Sequence, residues 1–310
     1  MPPREQLAPA EKRRIFQYYL PVFFWCQRQL QQHRTAGSGG TPLVLGISAP
    51  QGCGKTTLCE QLEALFAYTG STAASISIDD FYHTYQGQQA VSAAHPGNPL
   101  LQMRGNAGSH DMQLGTDTLR ALRGATSAGS SVPVPRRYDK SAYSGQGDRA
   151  DPATWPVATG PVDVVLFEGW MLGFGPVDDT AAAAVDPNLA PVNTFLRRQG
   201  RMRQGYKQAW DSFVDAWLVV RVAQPDYAYR WRLQARRCCR AAEQAMRASG
   251  KPAMTDEQVA AFVDRFMPAY RCYLPGLYAK GPTTAAPGRL LVVEVDEGRE
   301  PVAAQPAAIM

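Results

Sequence analysis

The chain has little of what would place it in a membrane, a disulfide scaffold or a metal centre. Nowhere does it run the roughly twenty consecutive apolar residues that a membrane-spanning helix needs. The most apolar early stretch, residues 18–26, is far shorter and contains Pro21, and the N-terminus lacks the pattern of a signal peptide, so neither a membrane nor secretion is expected. Six cysteines in 310 residues (Cys26, Cys53, Cys59, Cys238, Cys239 and Cys272) make no disulfide framework and no C-x-x-C pair with histidine partners, so reduced thiols are expected. The four histidines, His33, His83, His95 and His110, have no metal-ligand spacing, which argues against structural zinc. The net charge is only +5, and the arginines fall in separated groups rather than one basic tract, so no nucleic-acid partner is expected.

What is present is a chain with 45% hydrophobic and 19% charged residues, able to bury a sizeable core. Its most informative segment is Leu43-Val-Leu-Gly-Ile-Ser-Ala-Pro-Gln-Gly-Cys-Gly-Lys-Thr-Thr-Leu58, an apolar run, a glycine-bearing turn and then a helix start. Backbone N–H groups of such a loop can cradle phosphates, Lys55 supplies positive charge and the Thr56 hydroxyl can ligate magnesium. The match to G-x-x-x-x-G-K-S/T is incomplete, because Ala49 stands where the first glycine belongs. The parts that touch phosphate, Gly52, Cys53, Gly54, Lys55, Thr56 and Thr57, are nevertheless all in place. A dinucleotide-binding turn fits worse, since Thr57 occupies the place of its third glycine and Lys55 has no role in it.

Apolar runs at 43–48, 73–78, 162–167, 216–222 and 290–295 read as five buried strands separated by helices, which predicts a parallel sheet covered by helices. Residues 1–40 read as an N-terminal helical extension, broken or kinked at Pro21 and ending in a glycine- and serine-rich hinge. Residues 41–310 read as one α/β domain. The second run ends in Asp79-Asp80 and the third in Glu168, and in open parallel sheets ligands bind beyond the carboxyl ends of the strands. Residues 83–108 are a polar, Gly- and Pro-bearing segment too long for a simple connection and read as a binding loop; residues 132–151 read as a second, irregular and charge-rich loop segment with few apolar residues to hold it in a core. Residues 225–245 read as an arginine-rich lid helix in which Arg232, Arg236 and Arg240 share a stripe, with Arg230 and Arg237 beside them. Such a stripe either closes over phosphates or is a solvated helix face.

Phosphoryl transfer asks the protein for positive charge on the phosphates, a metal and a proton acceptor, and this set supplies all three. Lys55 and the loop amides hold the nucleotide, with Arg230 and Arg232 as further contacts. Thr56 and Glu168 hold magnesium, and Asp79 takes a proton from a substrate hydroxyl with Asp80 in reserve. Structural roles stand beside these: Asp79 can cap the following turn, and Glu168 can neutralise an arginine.

The ordered series Ser48-Ala-Pro-Gln-Gly-Cys-Gly-Lys-Thr-Thr57, Asp79-Asp-Phe-Tyr82, Gly97-Asn-Pro-Leu-Leu101, Arg104-Gly-Asn-Ala-Gly-Ser-His-Asp111, Tyr138-Asp-Lys-Ser-Ala-Tyr143 and Phe167-Glu-Gly-Trp-Met-Leu-Gly-Phe174 closely resembles the D-glycerate 3-kinases of plants and algae. The likeness continues through Tyr229-Arg-Trp-Arg-Leu-Gln234 to Asp296-Glu-Gly-Arg299. That family resembles the P-loop kinases that include uridine kinase, phosphoribulokinase and pantothenate kinase. The resemblance implies a P-loop kinase fold, ATP and Mg2+ as cofactors, D-glycerate as acceptor, a place in photorespiration and a chloroplast location, although no transit peptide is visible. It matches Asp79 to the base and Glu168 to the magnesium-side acid.

A small anionic acceptor needs a cation for its carboxylate and polar groups for its hydroxyls. The candidates are Arg104, His110, Asp111, Arg136, Arg137, Tyr138, Lys140 and Arg149, and the sequence does not choose among them. Asn106 and His110 can equally be loop-capping residues. A kinase for another hydroxylated metabolite and an ATP-dependent binding module remain alternatives, and a monomer is expected. Cys53, at the positive end of a helix, either carries a redox-sensitive thiolate with Cys59 as partner or simply fills a tight turn.

Overall fold

Strands β1 (Leu43–Ser48) and β5 (Val164–Gly169) are buried at every residue, as expected of strands covered on both faces. The computed structural model describes residues 8–135, 138–197, 205–238 and 255–302. Its main sheet runs β2-β5-β1-β6-β7, all parallel, with β2 at Ala73–Ser77, β6 at Ala216–Val222 and β7 at Leu290–Val295. The two edge strands, β2 and β7, are only half-buried, in keeping with their positions.

Side chains alternate across the sheet with the period of two that a strand imposes. Leu43, Leu45, Ile47, Val164, Leu166, Leu218 and Val220 enter one core with α2 (Leu20–Thr35) and α3 (Lys55–Tyr68). Val44, Val165, Phe167, Trp217 and Val219 enter the opposite core, with Leu119 and Leu122 of α5 (Met112–Arg123) and Tyr270 and Tyr273 of the helix Met267–Lys280. Gly46 belongs to this second face because Trp217 lies over it: an added Cβ would sit 2.7 Å from the indole.

The N-terminal helix is built into the first core. Phe23 meets Phe66 of α3 edge-on, with ring centroids 5.2 Å apart, and Val22, Trp25 and Leu30 are buried beside them. At about 1.5–3 kcal/mol for each of these four side chains, losing the helix would remove an amount comparable to a domain's entire net stability. The expected break at Pro21 falls one turn earlier. Helix α1 (Pro9–Arg14) continues through a wider π turn at Ile15–Tyr19 into α2, which accommodates a proline that has no N–H to give.

Two expectations need correcting. The loop expected at 83–108 contains a helix, α4 (Tyr85–Ala94), capped by the Thr84 hydroxyl, which accepts from the Gly87 amide. The second loop segment is not free of the core: β3 (Ser131–Pro133) pairs antiparallel with β4 (Val157–Thr159), and Val132, Val134 and Tyr138 are buried.

Candidate active site

The loop after β1 is shaped by two glycines in the left-handed region, Gly52 at φ 84° and Gly54 at φ 97°. At Gly52 the requirement is double, since an added Cβ would also lie 2.7 Å from Cβ of Trp231. The loop is held from behind. Tyr270 Oη accepts from the Gln51 amide at 2.9 Å, and Arg299 Nε donates to the Gly52 carbonyl at 2.7 Å while its guanidinium lies over the Trp231 ring. Tying down the rear leaves the first-turn amides of α3, which have no intrahelical acceptor, facing away from these anchors. Thr56 and Thr57 are exposed there, and Lys55 Nζ rests on the Pro50 carbonyl at 3.2 Å.

Sheet order brings the acids to this loop. Glu168 on β5 is in register with Ile47 of β1 and with Ser77 of β2, so it stands between the glycine loop and Asp79. It is buried, and its Oε2 has no hydrogen-bond partner. Burial pushes its carboxyl up; Lys55 opposes that and Asp79 adds to it. The cation acting on Glu168 is therefore Lys55, not an arginine. A buried carboxylate with an unpartnered oxygen, facing a helix start that carries an exposed threonine, fits a hard divalent cation shared with phosphates.

The turn after β2 separates the two aspartates. Ser77 Oγ accepts from the Asp79 amide at 3.2 Å and Asp80 Oδ2 accepts from the Ser77 amide at 3.3 Å, a reciprocal cap. Asp80 is thus turned back on the backbone. Asp79 projects outward, accepting from Lys140 Nζ at 2.6 Å and from Tyr82 Oη at 3.0 Å. Desolvation works to raise its carboxyl, yet Lys140, Lys55 and Tyr82 together hold it well below the usual carboxylate range.

The remaining predicted residues divide by what they touch. Arg104 lies over the Tyr138 ring and donates to the carbonyls of Gly145, Gln146 and Lys140, so it fastens the loop that carries Lys140. Tyr138 Oη donates to the His83 carbonyl at 3.0 Å. Arg149 bridges the Tyr82 carbonyl at 3.0 Å and Asp111 Oδ2 at 3.1 Å, while Asp111 Oδ1 caps α5 by accepting from the Leu114 amide. His110 is fully buried, stacked on Tyr82 with ring centroids 4.6 Å apart, its Nδ1 2.8 Å from Tyr206 Oη. Burial pushes its imidazole down to about 3, so it is neutral and lends no charge to a substrate carboxylate. Asn106 takes the loop-holding role, donating to the carbonyls of Leu100 and Arg265.

On the other side of β1, Arg230 of the helix Tyr227–Cys238 pairs with Glu297 at 2.9 Å, and Arg232 reaches Gln51 Oε1 at 3.3 Å while covering the Phe262 ring. Arg136, Arg137 and Arg240 lie outside the described residues, as do the side chains of Arg236 and Arg237. Cys53 and Cys59 are both buried, and burial pushes both thiols up, with Lys55 opposing only in part. Of the two alternatives for Cys53, burial disfavours the thiolate and favours a residue that fills its turn. Sequence reasoning missed Arg299, Trp231 and Tyr270 as the props of the loop.

Comparison with known proteins bears on this geometry. A solved D-glycerate 3-kinase from Cryptococcus neoformans var. grubii is 31% identical and superimposes with a TM-score of 0.78 over 92% of this chain and 97% of that one. The chain belongs to the D-glycerate 3-kinase family. The chloroplastic D-glycerate 3-kinase of Arabidopsis thaliana is 49% identical over 302 residues, 96% of this chain; the chain spans 63% of that protein's length. The probable ATP-dependent kinase TDA10 of Saccharomyces cerevisiae is 33% identical over 75% of this chain and 78% of its own. No protein-family model matches the chain. The family's P-loop kinase fold is the five-stranded parallel sheet described above, helices on both faces.

Proposed function

We propose that the chain transfers the terminal phosphate of ATP to the 3-hydroxyl of D-glycerate, releasing ADP and 3-phospho-D-glycerate, and that it works in the chloroplast like its Arabidopsis relative. The observation that carries this reading is Asp79: a carboxylate freed from backbone capping by Asp80, projecting beside the glycine loop with Glu168 between. Phosphoryl transfer is mostly positioning and electrostatics, and that is what these residues offer. The amides of residues 52–57 and Lys55 hold the β- and γ-phosphates in line with the acceptor.

As the acceptor's O3 forms its bond to the γ-phosphorus, the bond to the bridging oxygen of ADP breaks, and the O3 proton passes to an Asp79 carboxylate oxygen. Thr56 and Glu168 would hold Mg2+, which when bound neutralises charge on the phosphate oxygens. Tyr82, hydrogen-bonded to Asp79, fixes the direction in which the carboxylate points.

The test is ADP release from Mg-ATP with glycerate, uridine, ribulose 5-phosphate and pantothenate in turn. Release that requires glycerate supports the proposal. Release with another acceptor, or independent of every acceptor, contradicts it.

A further inference from the structure

The loop that faces Asp79 is tied down along its backbone and exposed at one side chain. Asp139 Oδ1 accepts from the amides of Ser141 and Ala142 and from the Ser141 hydroxyl, Asp139 and Asp148 pair through their backbones, and Tyr143 stacks on Tyr85 with centroids 3.9 Å apart. Arg104 clamps three carbonyls from inside. Within this frame Lys140 has an unbranched stem, and its side chain is 54% exposed. A lysine ammonium is a compact charge that changes partners readily, unlike the forked guanidiniums nearby.

Elimination then singles it out. Among the described residues of the two acceptor loops the cations are Arg104, Lys140 and Arg149. Arg104 is committed to the loop backbone, and Arg149, its side chain 18% exposed, to Tyr82 and Asp111. Of these three described cations, Lys140 alone points its charge at the reacting centre, and it does so by pairing with the acid that must receive the proton.

We propose that Lys140 reads the carboxylate of the acceptor, and that in turning to it the ammonium leaves Asp79, so the base is released only when an anionic acceptor is bound. The inference rests on the glycerate reading above and deepens it. Glycerate suits the exchange by its size: a single carbon separates the carboxylate carbon from the one bearing the reacting hydroxyl, so the cation and the base that serve them must be neighbours, as Lys140 and Asp79 are. The exchange trades one ion pair for another and leaves the Asp79 carboxylate held, among the described residues, by the Tyr82 hydroxyl alone.

The other groups around Asp79 do not take over this part. Lys55 belongs to the phosphates, Tyr82 donates to the carboxylate in either state, Glu168 carries like charge and His110 is neutral. While Lys140 stays in place it holds the Asp79 carboxyl low, with Lys55 and Tyr82 adding to it, which makes the resting pair a poor proton acceptor. Water, which has no carboxylate, would then find the base occupied, and wasteful ATP hydrolysis is held down.

The test compares glycerate with glycerol, which keeps the hydroxyls and lacks the carboxylate, in K140M and K140R. For K140M we expect kcat/KM for glycerate to fall about 10²-fold, the loss of one preorganised charge contact. Glycerol phosphorylation and acceptor-free ATP hydrolysis should rise because Asp79 is no longer held, K140R should keep the preference for glycerate, and acceptor-free hydrolysis unchanged in K140M would overturn the release of the base. Equal loss on glycerate and glycerol would show a merely structural lysine and overturn the inference, as would K140M retaining wild-type selectivity. Failure of the unmodified chain to use glycerate at all would instead overturn the functional reading, and the inference with it.

Discussion

Glu168→Gln separates an acid that serves the fold from one that serves a metal, because the two roles carry different costs. Glu168 is 8% exposed and its Oε2 has no partner. Were it half of a structural ion pair with Lys55, removing its charge would cost about 3–5 kcal/mol. The structure argues otherwise. The carboxylate already bears the penalty of an unsatisfied buried group, about 1–3 kcal/mol, and an amide of the same shape leaves one unpaired polar group in the same place. The two penalties nearly cancel, so without ligand the variant should unfold within about 1 kcal/mol of the wild type, a shift of no more than about 2–4 °C in Tm.

Turnover behaves differently, falling about 10²- to 10³-fold because a preorganised electrostatic contact is gone. Calorimetric unfolding with and without Mg-ATP, paired with steady-state ADP release, reads both quantities. Ligand at a hundred times its Kd stabilises a protein by about 2.7 kcal/mol, and the variant should show less of this gain when magnesium is the limiting component. A loss beyond about 3 kcal/mol without ligand, or turnover within about tenfold of wild type, would refute the reasoning.

Asp79→Asn should lower kcat about 10²- to 10⁴-fold with KM for ATP unchanged, and a variant keeping more than about a tenth of wild-type turnover would remove Asp79 from the base role. Gly52→Ala places a Cβ 2.7 Å from Trp231 on a backbone at φ 84°, where handedness alone costs about 1–2 kcal/mol; titration calorimetry should find ATP binding lost, and wild-type affinity would contradict the loop geometry. Arg299→Met removes a charged donor from the Gly52 carbonyl, worth about 1.5–3 kcal/mol, so KM for ATP should rise about tenfold or more while KM for glycerate stays; the reverse pattern would place Arg299 elsewhere in the mechanism.

The fold was legible because five buried strands write themselves as apolar runs, and the acids at their carboxyl ends are read off the same runs. Helix α4 was not, since Tyr85–Ala94 has almost no buried residue beyond Gln88 to mark a face. The props of the phosphate loop were illegible for another reason. Trp231, Tyr270 and Arg299 come from segments roughly 180 to 250 residues further along, and their partners are backbone atoms that any side chain could have met. Charge in the acceptor loops was visible in the sequence, but not which oxygen each cation would take. Hydrogen bonding spends Arg104 on carbonyls of the Lys140 loop and Arg149 on Tyr82 and Asp111, and leaves Lys140 on Asp79. Burial likewise favours the turn-filling role of Cys53 over the thiolate.

The chemical identity of the product decides whether the chain phosphorylates D-glycerate at its 3-hydroxyl. Incubating the protein with Mg-ATP and D-glycerate and following the mixture by phosphorus and carbon NMR should show one new phosphomonoester on the C3 oxygen for each ADP formed. Phosphate on the C2 oxygen, or ADP accumulating with inorganic phosphate and no ester, would contradict the account.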